Sequence, residues 1–262
     1  LRKRPTTSKN RNRDHNCYCK FAQPKEVSND TQSPEELEFY SDSEGESKSI
    51  KPLGESATRE LARAIVRFER NSIDRARFVV VHGGLIVFPT DTVYGLGCDP
   101  NNEDAVRRLS EAKKRDHRPI PVLCSSKSAA MELVEMNQKA LELAGRFWPG
   151  ALTIVAPLKR SLPFLLHQGT GTLGVRVPAL PLCVTLIETC GGWLTGTSAN
   201  LSGLPSARTA AEAASQLGDR VDLILDGGKL EGLESTVVRV VDDGIQVLRM
   251  GQVRVTDERR ER

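Results

Sequence analysis

Three short clusters of polar residues could do chemistry: Pro-Thr-Asp-Thr-Val-Tyr-Gly-Leu-Gly at 89–97, Lys113-Lys114-Arg115, and Thr197-Ser198-Ala199-Asn200. Each stands directly beside an apolar run, the arrangement by which a fold presents hydrogen-bonding groups at the end of a strand. The hydroxyls of Thr90, Thr92 and Tyr94 could bind a small polar substrate, with Gly95 and Gly97 letting a ligand approach the main chain; a hydrogen-bonded turn that only closes the strand is the alternative. Lys113 and Arg115, two apart where a helix must end, could converge on a triphosphate, because their charge offsets that of its oxygens and arginine can grip two at once. A solvated helix end has the same composition. Ser198 and Asn200 can point to one side of an extended loop, or Asn200 can cap a following helix. Taken together, the three clusters specify an anion-binding, nucleotide-sized pocket.

Arg176, in Gly-Val-Arg-Val-Pro at 174–178, is a lone charge among apolar neighbours. A guanidinium there needs either an acidic partner in the protein or an anionic ligand. No Gly-x-x-x-x-Gly-Lys-Ser/Thr loop and no Gly-x-Gly-x-x-Gly fingerprint after a strand is present, which removes the commonest nucleotide folds. None of the four histidines lies beside a plausible Ser or Cys nucleophile, so triad hydrolysis is excluded as a reading. His15, Cys17 and Cys19 lack the Cys-x-x-Cys spacing of a structural zinc site.

The elements that must position these groups follow from the apolar pattern. Residues 64–68 read as an edge strand or as one face of a helix. Ser72 offers an N-cap for a helix over 73–82 that stops at Gly83-Gly84. Residues 85–88 read as a strand covered on both faces, which delivers Thr90 to its end. Asn102 can cap a helix that reaches Lys113, with Ala105, Leu109 and Ala112 on one face. Strands are expected at 120–124, 151–156, 174–177 and 193–195, and helices at 126–135, 138–147, 182–189 and 209–217. Runs at 221–225, 236–241 and 245–249 close the series, the last two joined by the turn Asp242-Asp243-Gly244. This is mixed α/β order, with no solenoid repeat.

Composition bounds the functions. Hydrophobic residues make up 39% of the 262, very few of them before about position 60, so the core must come from the later part. A net charge of +3 is too small for a protein that coats nucleic acid. Residues 1–13 carry six basic residues and no acidic one, whereas 26–46 carry eight acidic residues and no basic one. We read 1–55 as a disordered polyampholyte tail, its basic tip a candidate targeting or RNA-touching arm. The six cysteines lack the density of a disulfide framework; Cys98, Cys124 and Cys183 read as buried reduced thiols in a cytoplasmic setting. No stretch approaches the roughly 18 to 20 apolar residues that span a bilayer.

In order and spacing, from about Ile65 to Val253, the clusters resemble the YrdC-type threonylcarbamoyl-adenylate synthases, in which a Thr-rich segment precedes a Lys-x-Arg and then a Ser-x-Asn element. The family pattern is usually Lys-Gly-Arg-Pro followed by Lys-Pro-Leu. Here Lys114, Asp116 and Arg118-Pro119-Ile120 depart from it, while Lys113 and Arg115 keep their places. The resemblance implies a single α/β domain over 56–255, a twisted mixed sheet flanked by helices around a large concave cavity, with a charged tail at 256–262. It is to the short, single-domain form of the family. It also implies roles: Lys113 and Arg115 as catalytic cations that bind the nucleotide, with His117, Thr172, Ser198, Asn200, Ser206 and Arg249 as further nucleotide contacts. Thr90, Tyr94, Arg176, Gly196 and Ser235 would hold L-threonine.

The reaction so implied joins L-threonine, bicarbonate or carbon dioxide, and ATP with its Mg²⁺, giving threonylcarbamoyl-AMP and pyrophosphate. The product would pass to a partner transferase that modifies an adenosine in tRNA, and contact with tRNA or other RNA, double-stranded RNA included, is part of the expectation. No membrane partner is expected. Two other readings stay open: a non-catalytic RNA-binding module, and a carbamoyl-transfer module of the hydrogenase-maturation kind.

Overall fold

The computed structural model describes residues 65–114, 118–241 and 244–255. The expected tails, together with Arg115, Asp116, His117 and the turn residues 242 and 243, lie outside them. The described part opens with β1 (Ile65–Arg67), α1 (Arg70–Val81), β2 (Ile86–Phe88), β3 (Gly95–Gly97), α2 (Glu103–Ala112) and β4 (Val122–Cys124). There follow α3 (Lys127–Leu133), α4 (Gln138–Phe147), β5 (Leu152–Pro157), α5 (Phe164–His167), β6 (Thr172–Arg176) and α6 (Pro181–Thr189). The last elements are β7 (Trp193–Thr195), β8 (Thr197–Ser198), α7 (Ala210–Leu217), β9 (Leu223–Asp226), β10 (Thr236–Val241) and β11 (Gly244–Arg249).

Capping chemistry places the helices as read. Asn102 accepts from the Ala105 N–H at 3.0 Å, Ser126 from Ala129 at 3.1 Å, and Thr209 from Glu212 at 3.1 Å. The first helix differs. It begins at Arg70, with Glu69 as the cap, and Ser72 is its third residue. Ser72 Oγ accepts the Glu69 N–H at 3.1 Å and donates to the Glu69 carbonyl at 2.8 Å, so the serine ties the first turn together from inside. The β-branched run Val79-Val80-Val81 is helical because Ile73, Ala76 and Val80 bury one stripe against Cys183, Leu186 and Ile187 of α6. Residues 65–67 resolve as an edge strand parallel to β9.

The expected mixed α/β architecture is present, its strands shared between two sheets. One has the order β1-β9-β2-β3-β8 and the other β11-β10-β5-β6-β4-β7, each containing both parallel and antiparallel pairs. The chain crosses from the second sheet to the first at Gly196, between β7 and β8. A Cβ there would lie 2.3 Å from Leu123 Cγ, so any larger residue at the crossing would have to displace the Leu123 side chain of β4. The sheets are also bound by Cys98 N–H donating to Thr195 Oγ1 at 2.7 Å.

Strand alternation divides the six-stranded sheet into two faces. Leu152, Ile154 and Val238 pack under α4 with Ala140, Leu143 and Ala144. Thr153, Val155, Gly174, Arg176, Val237 and Arg239 face the opposite way, into a cavity. Among the described residues no helix is long and apolar enough to cross a membrane.

Candidate functional site

The cavity measures about 560 Å³, the size of a small-molecule site. Its floor is the exposed face of the six-stranded sheet. Its walls are the 90–95 loop, Lys113, and the segment from Gly196 to Leu204. Distant stretches therefore converge as the sequence implied: Thr90, Tyr94, Lys113, Thr172, Arg176, Gly196, Ser198, Asn200, Ser235 and Arg249 all line it. Ser206 does not; it donates to Glu234 from behind the wall. Arg115 and His117 fall outside the described residues.

Arg176 forms one pole. Its Nη2 lies 2.6 Å from Asp91 Oδ1, its Nη1 donates to Thr92 Oγ1 at 3.0 Å, and its Nε donates to the Gly150 carbonyl at 2.9 Å. Of the two sequence readings of this residue, the structure shows the acidic partner. Three of the five N–H groups of the buried guanidinium are used in these bonds. The same network explains the 90–94 turn. Thr90 Oγ1 donates to Val93 O at 2.7 Å and accepts the Thr92 N–H at 3.1 Å, with Thr92 Oγ1 2.9 Å away. Asp91, which drew no role from the sequence, and Thr92, read there as a substrate hydroxyl, are the links between turn and arginine; the place of Asp91 directly after Thr90 was the available signal.

Tyr94 works from behind. Its hydroxyl donates to the Gly228 carbonyl at 2.7 Å and accepts the Gly227 N–H at 3.0 Å, which pins the loop after β9. Burial pushes the phenol up to about 12, so it stays a neutral donor.

Lys113 forms the second pole. It is 1% exposed, and its Nζ donates to the carbonyls of Ser198 and, at 2.7 Å, Asn200, and to Asn200 Oδ1 at 3.1 Å. Ser198 Oγ donates to the same Oδ1 at 2.6 Å, while Asn200 Nδ2 donates to Leu201 O at 2.9 Å and Leu204 O at 2.6 Å. All the bonding positions of this asparagine are used in shaping its loop. It caps no helix, since Thr209 caps α7. The buried ammonium brings a positive charge to the wall without lying on a solvated helix end.

A third group stands at the β10–β11 side. Arg249 bonds Glu234 at 2.5 Å and donates to the Ser235 carbonyl at 2.9 Å, and Ser235 Oγ lies 2.9 Å from Thr153 Oγ1. Thr153, Glu234 and Arg239 are cavity residues that the sequence reading did not single out. Counting by twos from Ser235 along β10 would have reached Arg239.

Cys98 is pushed up to about 12 by burial, and burial also raises Cys124 and Cys183, so these buried thiols are not nucleophiles at neutral pH. No group of three His, Cys, Asp or Glu is arranged to hold a metal ion among the described residues. The chemistry on offer is charge complementarity at two or more points of one cavity.

Comparison with known proteins agrees with this geometry. The family model for Sua5, YciO and YrdC proteins, whose description reads "Telomere recombination", matches residues 79–251. The threonylcarbamoyl-AMP synthase of Pyrococcus abyssi is 37% identical over 188 residues, 71% of this chain and 55% of that protein. The Bacillus subtilis enzyme of the same name is 39% identical over 185 residues, 69% of this chain and 54% of its own. The solved structure of Pyrococcus abyssi Sua5 complexed with L-threonine superposes with a TM-score of 0.69 at 36% identity, covering 72% of this chain and 57% of that one. The chain spans about half the length of these relatives. With a family model matched over residues 79–251 and relatives of this identity, the chain belongs to the Sua5/YciO/YrdC family.

Proposed function

We propose that the protein is an L-threonylcarbamoyladenylate synthase: it forms threonylcarbamoyl-AMP and pyrophosphate from L-threonine, bicarbonate or carbon dioxide, and ATP. The observation that carries this reading is the two-pole cavity. The Arg176 pole, with two N–H groups to spare, suits an amino-acid carboxylate. Lys113, buried against Ser198 and Asn200, and Arg249 supply charge for a nucleotide. The relatives' shared name and the Sua5 complex with L-threonine support it.

The threonine amine attacks carbon dioxide and loses a proton, giving a carbamate. A carbamate oxygen then attacks the α-phosphorus of ATP, the bond from that phosphorus to the bridging oxygen breaks, and pyrophosphate leaves. Neither step needs a protein nucleophile. The protein's work is alignment and neutralisation of phosphate charge: Thr90 and Arg176 orient the amino acid, and Lys113, Arg115 and Arg249 supply charge that offsets the phosphates. Mg²⁺ enters with the nucleotide as part of the substrate. Among the described residues the nearby carboxylates are ion-paired, Asp91 with Arg176 and Glu234 with Arg249.

Delivery of the product to a tRNA-modifying transferase, RNA contact and a cytoplasmic setting belong to the same reading. Pyrophosphate release measured with ATP, bicarbonate and each amino acid in turn tests it. Release that requires threonine and is lost in Lys113→Ala and Arg115→Ala is expected. Salt-sensitive RNA binding without any turnover would instead favour the RNA-binding module.

A further inference from the structure

Arg239 lies on β10 with Val237, and both line the cavity together with Ser235, the residue just before the strand. The register sets it opposite Val155, and Val155 opposite Gly174. Its own row across the sheet therefore continues with a valine and a glycine on one side and with Gln246 of β11 on the other, and holds no carboxylate. The other arginines of the floor are balanced: Arg176 by Asp91 and Arg249 by Glu234. Arg239 differs. Its Nε is shut off from water and has no hydrogen-bond acceptor among the described residues. A buried N–H left unpaired is costly, and burying it beside a guanidinium charge is costlier still. With no carboxylate paired to it among the described residues, the Arg239 guanidinium brings an uncompensated positive charge to the cavity it lines.

We infer that Arg239 is an anion-binding residue of the cavity, taking a phosphate group of the nucleotide through one hydrogen on each Nη. Those two hydrogens lie on one edge of the guanidinium and match two oxygens of a single phosphate. The inference rests on the nucleotide reading above. Phosphate is favoured over the threonine carboxylate by position. Two residues along the strand and two strands across separate the backbones of Arg239 and Arg176 by about 12 Å. That spacing suits two anionic groups on neighbouring ligands, and the row of Arg239 lies towards Thr172, the end of β6 away from Arg176.

Calorimetric titration of the full chain tests it, using ATP, inorganic pyrophosphate and L-threonine as separate probes on the wild type, Arg239→Gln and Arg239→Lys. Arg239→Gln is expected to weaken ATP and pyrophosphate by about tenfold or more, as for one lost charge-assisted pair. Threonine affinity and the melting midpoint should stay within error, which a merely structural role would not allow, and Arg239→Lys should restore part of the loss. Equal ATP and pyrophosphate affinities in wild type and Arg239→Gln would overturn the inference. Pyrophosphate binding sensitive to Arg239→Gln, without ATP binding, would sustain the anion site and overturn the nucleotide reading. A wild type that binds neither overturns both.

Discussion

Arg176 Nη2 and Asp91 Oδ1 lie 2.6 Å apart, an ion pair 5% and 15% exposed at its two side chains that joins the sheet floor of the cavity to the loop beside it. Removing one member of a buried pair leaves the other uncompensated, at a cost of about 3–5 kcal/mol. Asp91→Asn keeps the shape and one acceptor, so its cost falls at or below the lower end. It should lower the melting midpoint and raise the KM for threonine about tenfold or more while the KM for ATP moves less. Steady-state kinetics in both substrates checks this, and equal effects on the two would contradict the assignment of Arg176 to the threonine end.

Lys113→Ala leaves the Ser198 carbonyl, the Asn200 carbonyl and one bond to Asn200 Oδ1 without their donor. Each buried acceptor so abandoned costs about 1–3 kcal/mol unless water replaces the ammonium. Turnover should fall about 100-fold or more, the scale of losing one preorganised charge, together with a lower melting midpoint. Pyrophosphate release and a thermal melt on the same preparation measure both.

Gly196→Ala would place a Cβ 2.3 Å from Leu123 Cγ and 2.8 Å from Cδ1. Overpacking of this kind costs about 1–3 kcal/mol. The clash is with a side chain, so Gly196→Ala combined with Leu123→Ala should be less destabilised than the two single variants summed. A double-mutant cycle in denaturant shows the coupling.

Stability should fall as pH rises above about 9. Cys98 shifts from 9.0 to about 12, Cys190 from 9.0 to about 11 and Tyr94 from 10.0 to about 12, each chiefly because burial disfavours the anion. Below pH 9 these groups are protonated in folded and unfolded chains alike. Between about 9 and 12 the unfolded chain loses protons that the folded one keeps, so raising the pH favours unfolding. Tyr94→Phe should flatten the part that begins near pH 10, and Cys98→Ser should remove a share of the part that begins near 9, the other raised thiols supplying the rest. Melting curves at successive pH values read the slopes.

Arg249→Ala removes a pair whose arginine side chain is 46% exposed, so its direct contribution to stability is about 1 kcal/mol or less. Its expected effect is on the nucleotide: a raised KM for ATP with a nearly unchanged melting midpoint. A large fall in the midpoint with no change in ATP kinetics would make it a structural residue.

The elements were legible in the sequence wherever a local rule was enough. Asn102, Ser126 and Thr209 announce their helices because a capping oxygen bonds an N–H only three residues away. Residues 85–88 read as a covered strand from their apolar run, and the polar clusters beside such runs named most of the cavity wall. Tertiary packing alone decided what depends on partners distant in sequence: the division of strands between two sheets at Gly196, the burial of Lys113 against the Ser198–Asn200 segment, and the pairing of Arg176 with Asp91. Arg239 could be counted onto the cavity face by alternation, yet its unpaired Nε could not be foreseen. The reason is physical. A cap or an apolar period is written within one turn or one strand, whereas a buried charge is settled by which oxygens the rest of the chain brings within about 3 Å of it.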